Sequence, residues 1–488
     1  MYITTQEEGN IMKKFLFIVP VIAGFACYNV VPNAIAQNPE RTSIKTKSIT
    51  TDESHIEKII ISSNLHLPKE LIIGLNPKTI DLIEHLYYII RLLNEETIVN
   101  KTNYPFINLH VIVPDQYIFD ANFHAYPHID IISLQNRIKD TLPMDTEIPY
   151  FKISYVRGKN FPWIQDILES GAVYFKSYHY PLPVIFNLNY NGNNKELPYL
   201  KSIKKSLNIN ELFLDGKGAI DSENGDCGGN IEATHENKIY VGNNITDRLS
   251  KHLMDLSGNP VIKLDTKWLI VSHVDELLFF IPSKDRCGAA LVYADPLEAL
   301  YVFTNYGDLP VKLKGHLINS LKYFLKPGRR LSNKNSINDF NINKPMRKEK
   351  AKDLKNITIP LYSDWFVLHN LKAYKYILKN VLTLQKNSSC LKTLIPIPVL
   401  FQEAKDEMFA DTTGIIAINP FPNAIVLRDH IIMPKGMFQE ITEERLVKVI
   451  GNKYKIHFVD ASWYHGHDGS IHCATAVIRD PEKKFKMK

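Results

Sequence analysis

Cysteine is scarce in this chain, five in 488 residues. So low a density excludes the small disulfide-stapled scaffold of many secreted modules. No charge of one sign prevails either: 58 Lys and Arg face 52 Asp and Glu, for a net charge of +6. No basic stretch interleaved with aromatics is present, so nucleic acid is not an expected partner. Long apolar runs are also missing. The best candidate, residues 15–31, is broken by Pro20, Gly24 and Asn29 and falls short of a bilayer span. Self-similarity at a fixed period, the mark of a repeat array, is not seen.

What is present is material for a large core, with 45% apolar and 23% charged residues. Met12-Lys13-Lys14, the apolar stretch after it and Ala34-Ile35-Ala36 have the basic, apolar and small-x-small parts of an export signal. Residues 1–36 are therefore expected to be a signal peptide, with residues 1–11 a mis-called start ahead of Met12. Residues 37–55, rich in Thr, Ser and Lys, read as a linker, and residues 56–488 as the working domain. The mature protein is expected to be secreted or periplasmic and free of the membrane. Export would leave Cys227, Cys287, Cys390 and Cys473, with at least one remaining a free thiol.

Strand-like runs at Ile59–Ile61, Leu109–Val113, Phe151–Val156 and Leu269–Ser272 alternate with helical patterns. Ile80, Ile83, Tyr87, Ile90 and Leu93 share one helical face, as do Leu371, Tyr374, Leu378, Val381 and Leu382. The class is mixed α/β. Between Lys326 and Asn356 the chain turns rich in Asn, Lys and Arg around Pro327-Gly328, which reads as a surface excursion.

Four segments carry more chemistry than packing requires. They are Trp163-Ile-Gln165-Asp166-Ile-Leu-Glu169, Asp226-Cys-Gly-Gly-Asn230-Ile-Glu232, Val271-Ser-His273-Val-Asp275-Glu276 and Ser470-Ile-His472-Cys473-Ala-Thr475. A cysteine with a remote imidazole is the pairing of nucleophile and acid/base. Taken singly each has a plain reading: a solvated Asp, a Gly-Gly turn, a structural His, a core thiol. A competing reading takes His465, His467, Asp468, His472 and Cys473 as a zinc site. A papain-like hydrolase fits less well, since there the cysteine precedes the histidine.

Together, the four segments resemble, in order and spacing, the catalytic domain of the protein-arginine deiminases, members of the guanidino-group-modifying, or pentein, superfamily. The resemblance covers about residues 150–479. It implies a five-module α/β propeller, as a single catalytic domain without the family's immunoglobulin-like N-terminal domains. It also implies hydrolysis of the guanidinium of arginine residues in proteins to citrulline and ammonia. Cys473 takes the role of nucleophile, His273 that of general acid, and Asp166 and Asp275 those of guanidinium ligands, while Trp163 and Val271 wall the slot for the aliphatic stem. The residue types suit the task, because each carboxylate accepts a forked, charge-assisted pair of hydrogen bonds from a planar guanidinium.

One calcium site is implied, built from Gln165, Glu169 and Glu232 with the carbonyls of Gly228 and Ile231. These are hard oxygen donors of the kind Ca²⁺ takes. A second family site is not matched, since Ile167, Asn187 and Leu188 stand where acidic and hydroxyl ligands are expected. No arginine lies within Asn187–Asn194, where the family contacts the substrate backbone. Free arginine or another small guanidine is therefore the alternative substrate, and an inactive binding module the alternative of another class.

Overall fold

Apolar runs become strands here, and apolar residues three and four apart become helix faces, in the computed structural model of the chain. It describes residues 55–75, 77–114, 153–158, 163–177, 180–188, 198–214, 225–306, 364–405, 413–418, 420–467 and 469–486. The expected signal peptide, the linker up to residue 54 and the Lys326–Asn356 excursion lie outside these residues.

The first elements are β1 (Ile56–Ile61), β2 (His66–Gly74), α1 (Ile80–Val99), β3 (Asn108–Pro114) and β4 (Ile153–Gly158). Next come α2 (Ile164–Ile167), β5 (Leu168–Phe175), β6 (Leu182–Asn187), α3 (Pro198–Leu207) and β7 (Asn210–Phe213). They are followed by β8 (Ile231–Ala233), β9 (Ile239–Gly242), α4 (Asp247–Ser257) and β10 (Ile262–Leu264). β11 (Leu278–Pro282), β12 (Ala289–Asp295), α5 (Pro296–Tyr306), α6 (Asp364–Asn387) and β13 (Leu394–Pro398) form the next group. The last are β14 (Phe401–Lys405), β15 (Thr413–Ala417), β16 (Ile425–Leu427), β17 (His430–Pro434), α7 (Gln439–Ile450), β18 (Lys455–Val459), α8 (Ser462–His465) and β19 (Thr475–Lys484).

The expected mixed α/β class is observed, and one local order recurs. An antiparallel pair is followed by a helix and then by a third strand parallel to the second. It is seen in β5-β6-β7, β8-β9-β10, β11-β12-β13 and β16-β17-β18. A fifth copy is made from both ends of the domain: β19 pairs antiparallel with β2, and β2 pairs parallel with β3 after α1. The parallel step needs a crossover, and the helix supplies it while covering one sheet face.

In α1, Ile83, Ile90 and Leu93 of the expected face are buried and Ile80 and Tyr87 half-buried, with Leu82, Leu86 and Ile89 completing the buried face. They share a core with Leu71 and Ile73 of β2, Leu109 of β3, and Ile425 and Ile432 of β16 and β17. A larger cluster packs β11, β12 and β13 against α5, α6 and α7. At α4, Thr246 Oγ1 accepts the backbone N–H of Leu249, and the Asp226 carboxylate accepts both the N–H and the hydroxyl of Thr246 at 2.7 Å. Gly258 ends the helix at φ 68°, the left-handed region that a side chain disfavours.

Two expectations need correction. Leu269–Ser272 is not a strand. Leu269 makes a single bridge to Ile415, and Ser272 then turns at φ 63° with its hydroxyl donating to the carbonyl of Leu269 at 2.8 Å. The chain there must reverse out of the sheet to present His273, and the apolar run conceals that turn. Leu382 lies in α6 but is 39% exposed, because it follows Val381 by one residue and so points about 100° away from the packed face.

Thr246→Ala removes a helix cap and leaves the buried Asp226 short of a donor, so unfolding free energy should fall by about 1 to 2 kcal/mol. A urea titration should give a lower midpoint at unchanged slope. An unmoved midpoint would contradict the capping role.

Candidate active site

Each recurring unit delivers its chemistry from the segment just before its first strand. Trp163–Asp166 leads into β5, Gly225–Asn230 into β8, His273–Glu276 into β11, Pro420–Asn423 into β16, and Ser470–Cys473 into β19. These segments meet, although Asp166 and Cys473 are about 300 residues apart. The backbone N–H of Gln165 donates to the carbonyl of Cys473 at 3.1 Å. A short 3-10 helix at Val274–Glu276 holds His273 at its start, where the backbone N–H donates to the Glu276 carboxylate at 3.0 Å.

Asp275 is the junction. Its Oδ2 accepts from Asn423 Nδ2 at 2.9 Å and from His472 Nδ1 at 2.9 Å, and lies 3.4 Å from the Cys473 sulfur. Asn423 uses the rest of its amide on the same cluster. Nδ2 is 3.1 Å from the Cys473 sulfur, and Oδ1 accepts the backbone N–H groups of His472 at 2.8 Å and Cys473 at 3.3 Å. An amide has two donor hydrogens and one acceptor oxygen, so Asn423 is fully committed here.

Three buried polar atoms at the junction have no hydrogen-bond partner among the described residues: Asp166 Oδ1, Asp275 Oδ1 and His273 Nδ1. Asp166 Oδ1 and His273 Nδ1 stand 3.7 Å apart, too far for a hydrogen bond. Burial, together with the charge of Asp275, drives the Asp166 carboxyl well above the usual carboxylate range. Burial lowers His273 and so favours its neutral form, against the pull of Asp275. The Cys473 thiol is pushed well up by burial and by the two carboxylates, with the Ser470 and Asn423 hydrogen bonds opposing. These groups therefore await a cation: a positive charge set between the carboxylates would satisfy their free oxygens and favour the thiolate.

Val271, Glu276, Asn423, Gly469, Ser470 and Cys473 line a small cavity together with Ile416 and Pro420, whereas Asp166, His273 and Asp275 are not among its lining residues. Trp163 stands behind Gly469, where a methyl group would fall 2.3 Å from the indole ring. Gly229 passes so close beneath the site that a Cβ would lie 2.8 Å from His273 Nδ1. That position therefore needs glycine for close approach rather than for a turn, and the Gly228-Gly229 pair forms a buried 3-10 helix.

The residues expected to hold calcium are also buried together. The Gln165 amide donates to Glu169, and Gly228 packs against the Gln165 carbonyl, where a Cβ would come within 1.8 Å. Burial and the charge of Glu232 push Glu169 well up, and burial raises Glu232 to about 7. Two buried carboxylates beside an amide and backbone carbonyls fit a hard divalent ion. Part of the charge is met from within: His472 Nε2 lies 3.5 Å from Glu232, and buried Arg479 acts on both glutamates while donating to Asn64 and to the carbonyls of His66 and Val426.

The imidazoles of the zinc reading are engaged separately. His472 is on Asp275, exposed His467 bonds the carbonyl of Trp463 at 2.7 Å, and His465 borders the cavity. They do not converge among the described residues, and Asp468 lies outside these.

The sequence model of the family described as "Protein-arginine deiminase (PAD)" matches residues 136–486. The chain belongs to the protein-arginine deiminase family. Among relatives, mouse (Mus musculus) protein-arginine deiminase type-3 is 26% identical over 350 residues, covering 66% of this chain and 47% of that protein. Human (Homo sapiens) type-1 is 24% identical over 354 residues, covering 67% and 47%. The chain thus spans about half the length of the curated relatives it matches. Of solved structures, the C. jejuni agmatine deiminase has a TM-score of 0.44 at 14% identity, covering 86% of this chain and 96% of that one. The agmatine deiminase of Enterococcus faecalis has 0.45 at 10%, covering 87% and 96%.

Sequence reasoning assigned no role to Asn423, to the His472 contact with Asp275, or to Arg479. An asparagine after Phe-Pro reads as a turn residue until its partners are known.

Because burial and the two carboxylates hold the thiol protonated, alkylation of Cys473 by iodoacetamide, followed on its own peptide by mass spectrometry, should be slow near neutrality and rise through the alkaline range. Asp275→Asn removes one charge and should shift that rise to lower pH. An unchanged profile would show that the carboxylate does not govern the thiol.

Proposed function

We propose that the protein hydrolyses a guanidinium to a ureido group and ammonia, with arginine residues of proteins or peptides as its substrate class. Membership of the protein-arginine deiminase family supports this reading, and the unsatisfied oxygens of Asp166 and Asp275 carry it. A guanidinium is the planar cation that would give each a forked pair of donors. It is a poor electrophile, so its carbon must be held against a strong nucleophile.

The steps follow from the positions of the groups. Asp166 and Asp275 take the terminal nitrogens, and the bound charge favours ionisation of Cys473. The thiolate adds to the guanidinium carbon, giving a tetrahedral intermediate, with Asn423 releasing the sulfur as the C–S bond forms. His273, neutral in the free site, takes the proton that Cys473 gives up and delivers it to the departing nitrogen, which leaves as ammonia. The C–S thiouronium is then attacked by water, which gives a proton to His273, and collapse restores the thiol and yields citrulline. Trp163 and Val271 flank the aliphatic stem.

Calcium, held by Gln165, Glu169 and Glu232 with the carbonyls of Gly228 and Ile231, would neutralise the carboxylates beneath the site. Those groups lie one histidine away from Asp275, so their charge state reaches the catalytic cluster through His472. The recurring ββαβ units agree with a five-module propeller closed about a common axis, and the N-terminal signal pattern with a secreted or periplasmic enzyme. No helix among the described residues is long and apolar enough to cross a membrane.

Citrulline and ammonia should form from a blocked arginine ester and from an arginine-containing protein, and Cys473→Ala should abolish both while leaving the fold intact. Chelation of calcium should lower the rate several-fold. Turnover confined to free arginine would select the small-guanidine reading, and no ammonia from any substrate would reject the enzyme. Full activity after exhaustive chelation would reject the calcium site alone.

A further inference from the structure

A second cluster of ligating side chains lies away from Cys473. Cys287, in the turn between β11 and β12, is disulfide-bonded to Cys390, in the loop between α6 and β13. His235, in the turn between β8 and β9, sets its Nε2 2.9 Å from the Cys287 sulfur and 3.4 Å from the Cys390 sulfur. Glu236 Oε1 is 3.8 Å from that same nitrogen and 3.9 Å from the Cys390 sulfur. Cys287, Cys390 and His235 thus bring three ligand atoms within 4.8 Å of one another, while Glu236 stands at the edge of the group on the Cys390 side, its other oxygen 2.9 Å from Lys238 Nζ.

The loops that bring them together have their own hydrogen bonds. Asp285 accepts the backbone N–H of Cys287 at 2.9 Å and the hydroxyl of Thr393. Ser388 Oγ accepts the N–H groups of Cys390 at 3.3 Å and Leu391 at 3.1 Å. Glu236 accepts the N–H of Ser389 at 2.8 Å, and Lys484 donates to the carbonyl of His235 at 2.5 Å. The cluster therefore does not depend on the S–S bond to stay assembled. Burial lowers His235 and favours neutral imidazole, the form that ligates.

We propose that reduction of the Cys287–Cys390 disulfide converts this cluster into a zinc site of Cys287, Cys390, His235 and Glu236. Zinc bonds of about 2.3 Å to sulfur and 2.0 to 2.2 Å to nitrogen and oxygen put tetrahedral ligands roughly 3.3 to 3.8 Å apart. The imidazole already stands near those separations from both sulfurs; the sulfurs must part, and the Glu236 carboxylate must close on the Cys287 side. A phosphine or thiol reductant supplies two electrons, and two protons complete two thiols. Zn²⁺ then displaces both thiol protons as two Zn–S bonds form. Soft thiolates with imidazole select zinc over calcium or magnesium.

The two states link different parts of the fold. The disulfide joins segments of one ββαβ unit, whereas the metal also ties in the β8–β9 turn of the preceding unit. Glu232, of the candidate calcium site, lies on that hairpin, three residues before His235.

The test uses the full chain, reduced anaerobically with a phosphine and titrated with Co²⁺ as a spectroscopic stand-in, then with Zn²⁺ against a chromophoric chelator. One equivalent should bind with thiolate-to-cobalt absorption in the near ultraviolet, and the oxidised chain should show none. Cys287→Ser and Cys390→Ser should lose that band, and His235→Ala should weaken zinc by about tenfold or more. Cys473→Ala should bind as wild type does, which separates this site from the catalytic thiol. The proposal is overturned if the reduced chain binds no tighter than Cys287→Ser, if His235→Ala matches wild type, or if circular dichroism shows the reduced chain unfolding without taking up metal.

Discussion

Burial of Asp275 against the Cys473 thiol is the constraint on which the rest of the site depends. Burial and the Asp275 carboxylate 3.4 Å away both oppose ionisation of the Cys473 thiol. Asp166 adds a third acidic group to the same space. Asn423 and His472 hold one oxygen of Asp275, while Asp166 Oδ1, Asp275 Oδ1 and His273 Nδ1 are buried without a hydrogen-bond partner among the described residues. Such an arrangement is costly unless a cation completes it, and that cost makes the site selective for one.

The same logic extends one shell down. Glu169 and Glu232 are buried near one another, and His472 bridges from Glu232 to Asp275. Arg479 brings permanent positive charge to this layer, yet spends its hydrogen bonds on Asn64, His66 and Val426. It therefore relieves the glutamates by field rather than by contact. A divalent ion among the oxygens would free His472 from Glu232 and leave it wholly to Asp275.

Much of this was legible in the chain before the structure. The 3.6-residue pattern of α1 and the apolar runs of β1 and β3 announced their elements, because burial on one face leaves a periodic trace. The four motif segments named the residues that meet. What periodicity could not reveal was the turn at Ser272, since an apolar run leading to a positive-φ residue looks like a strand. Nor could it reveal Asn423, whose role exists only once β16 and β19 have brought it beside Asp275. The pairing of Cys287 with Cys390, 103 residues apart, is likewise a property of the fold.

Calorimetry on Cys473→Ala tests most directly whether Asp166, raised by burial, and the free oxygen of Asp275 are completed by a guanidinium. A blocked arginine should bind with release of a proton near neutral pH, seen as a dependence of the heat on buffer ionisation enthalpy, because the arriving cation returns Asp166 to its carboxylate form. The matching citrulline compound, neutral and of the same shape, should bind far more weakly and release none. Equal binding of the two, or arginine binding without proton release, would contradict the account.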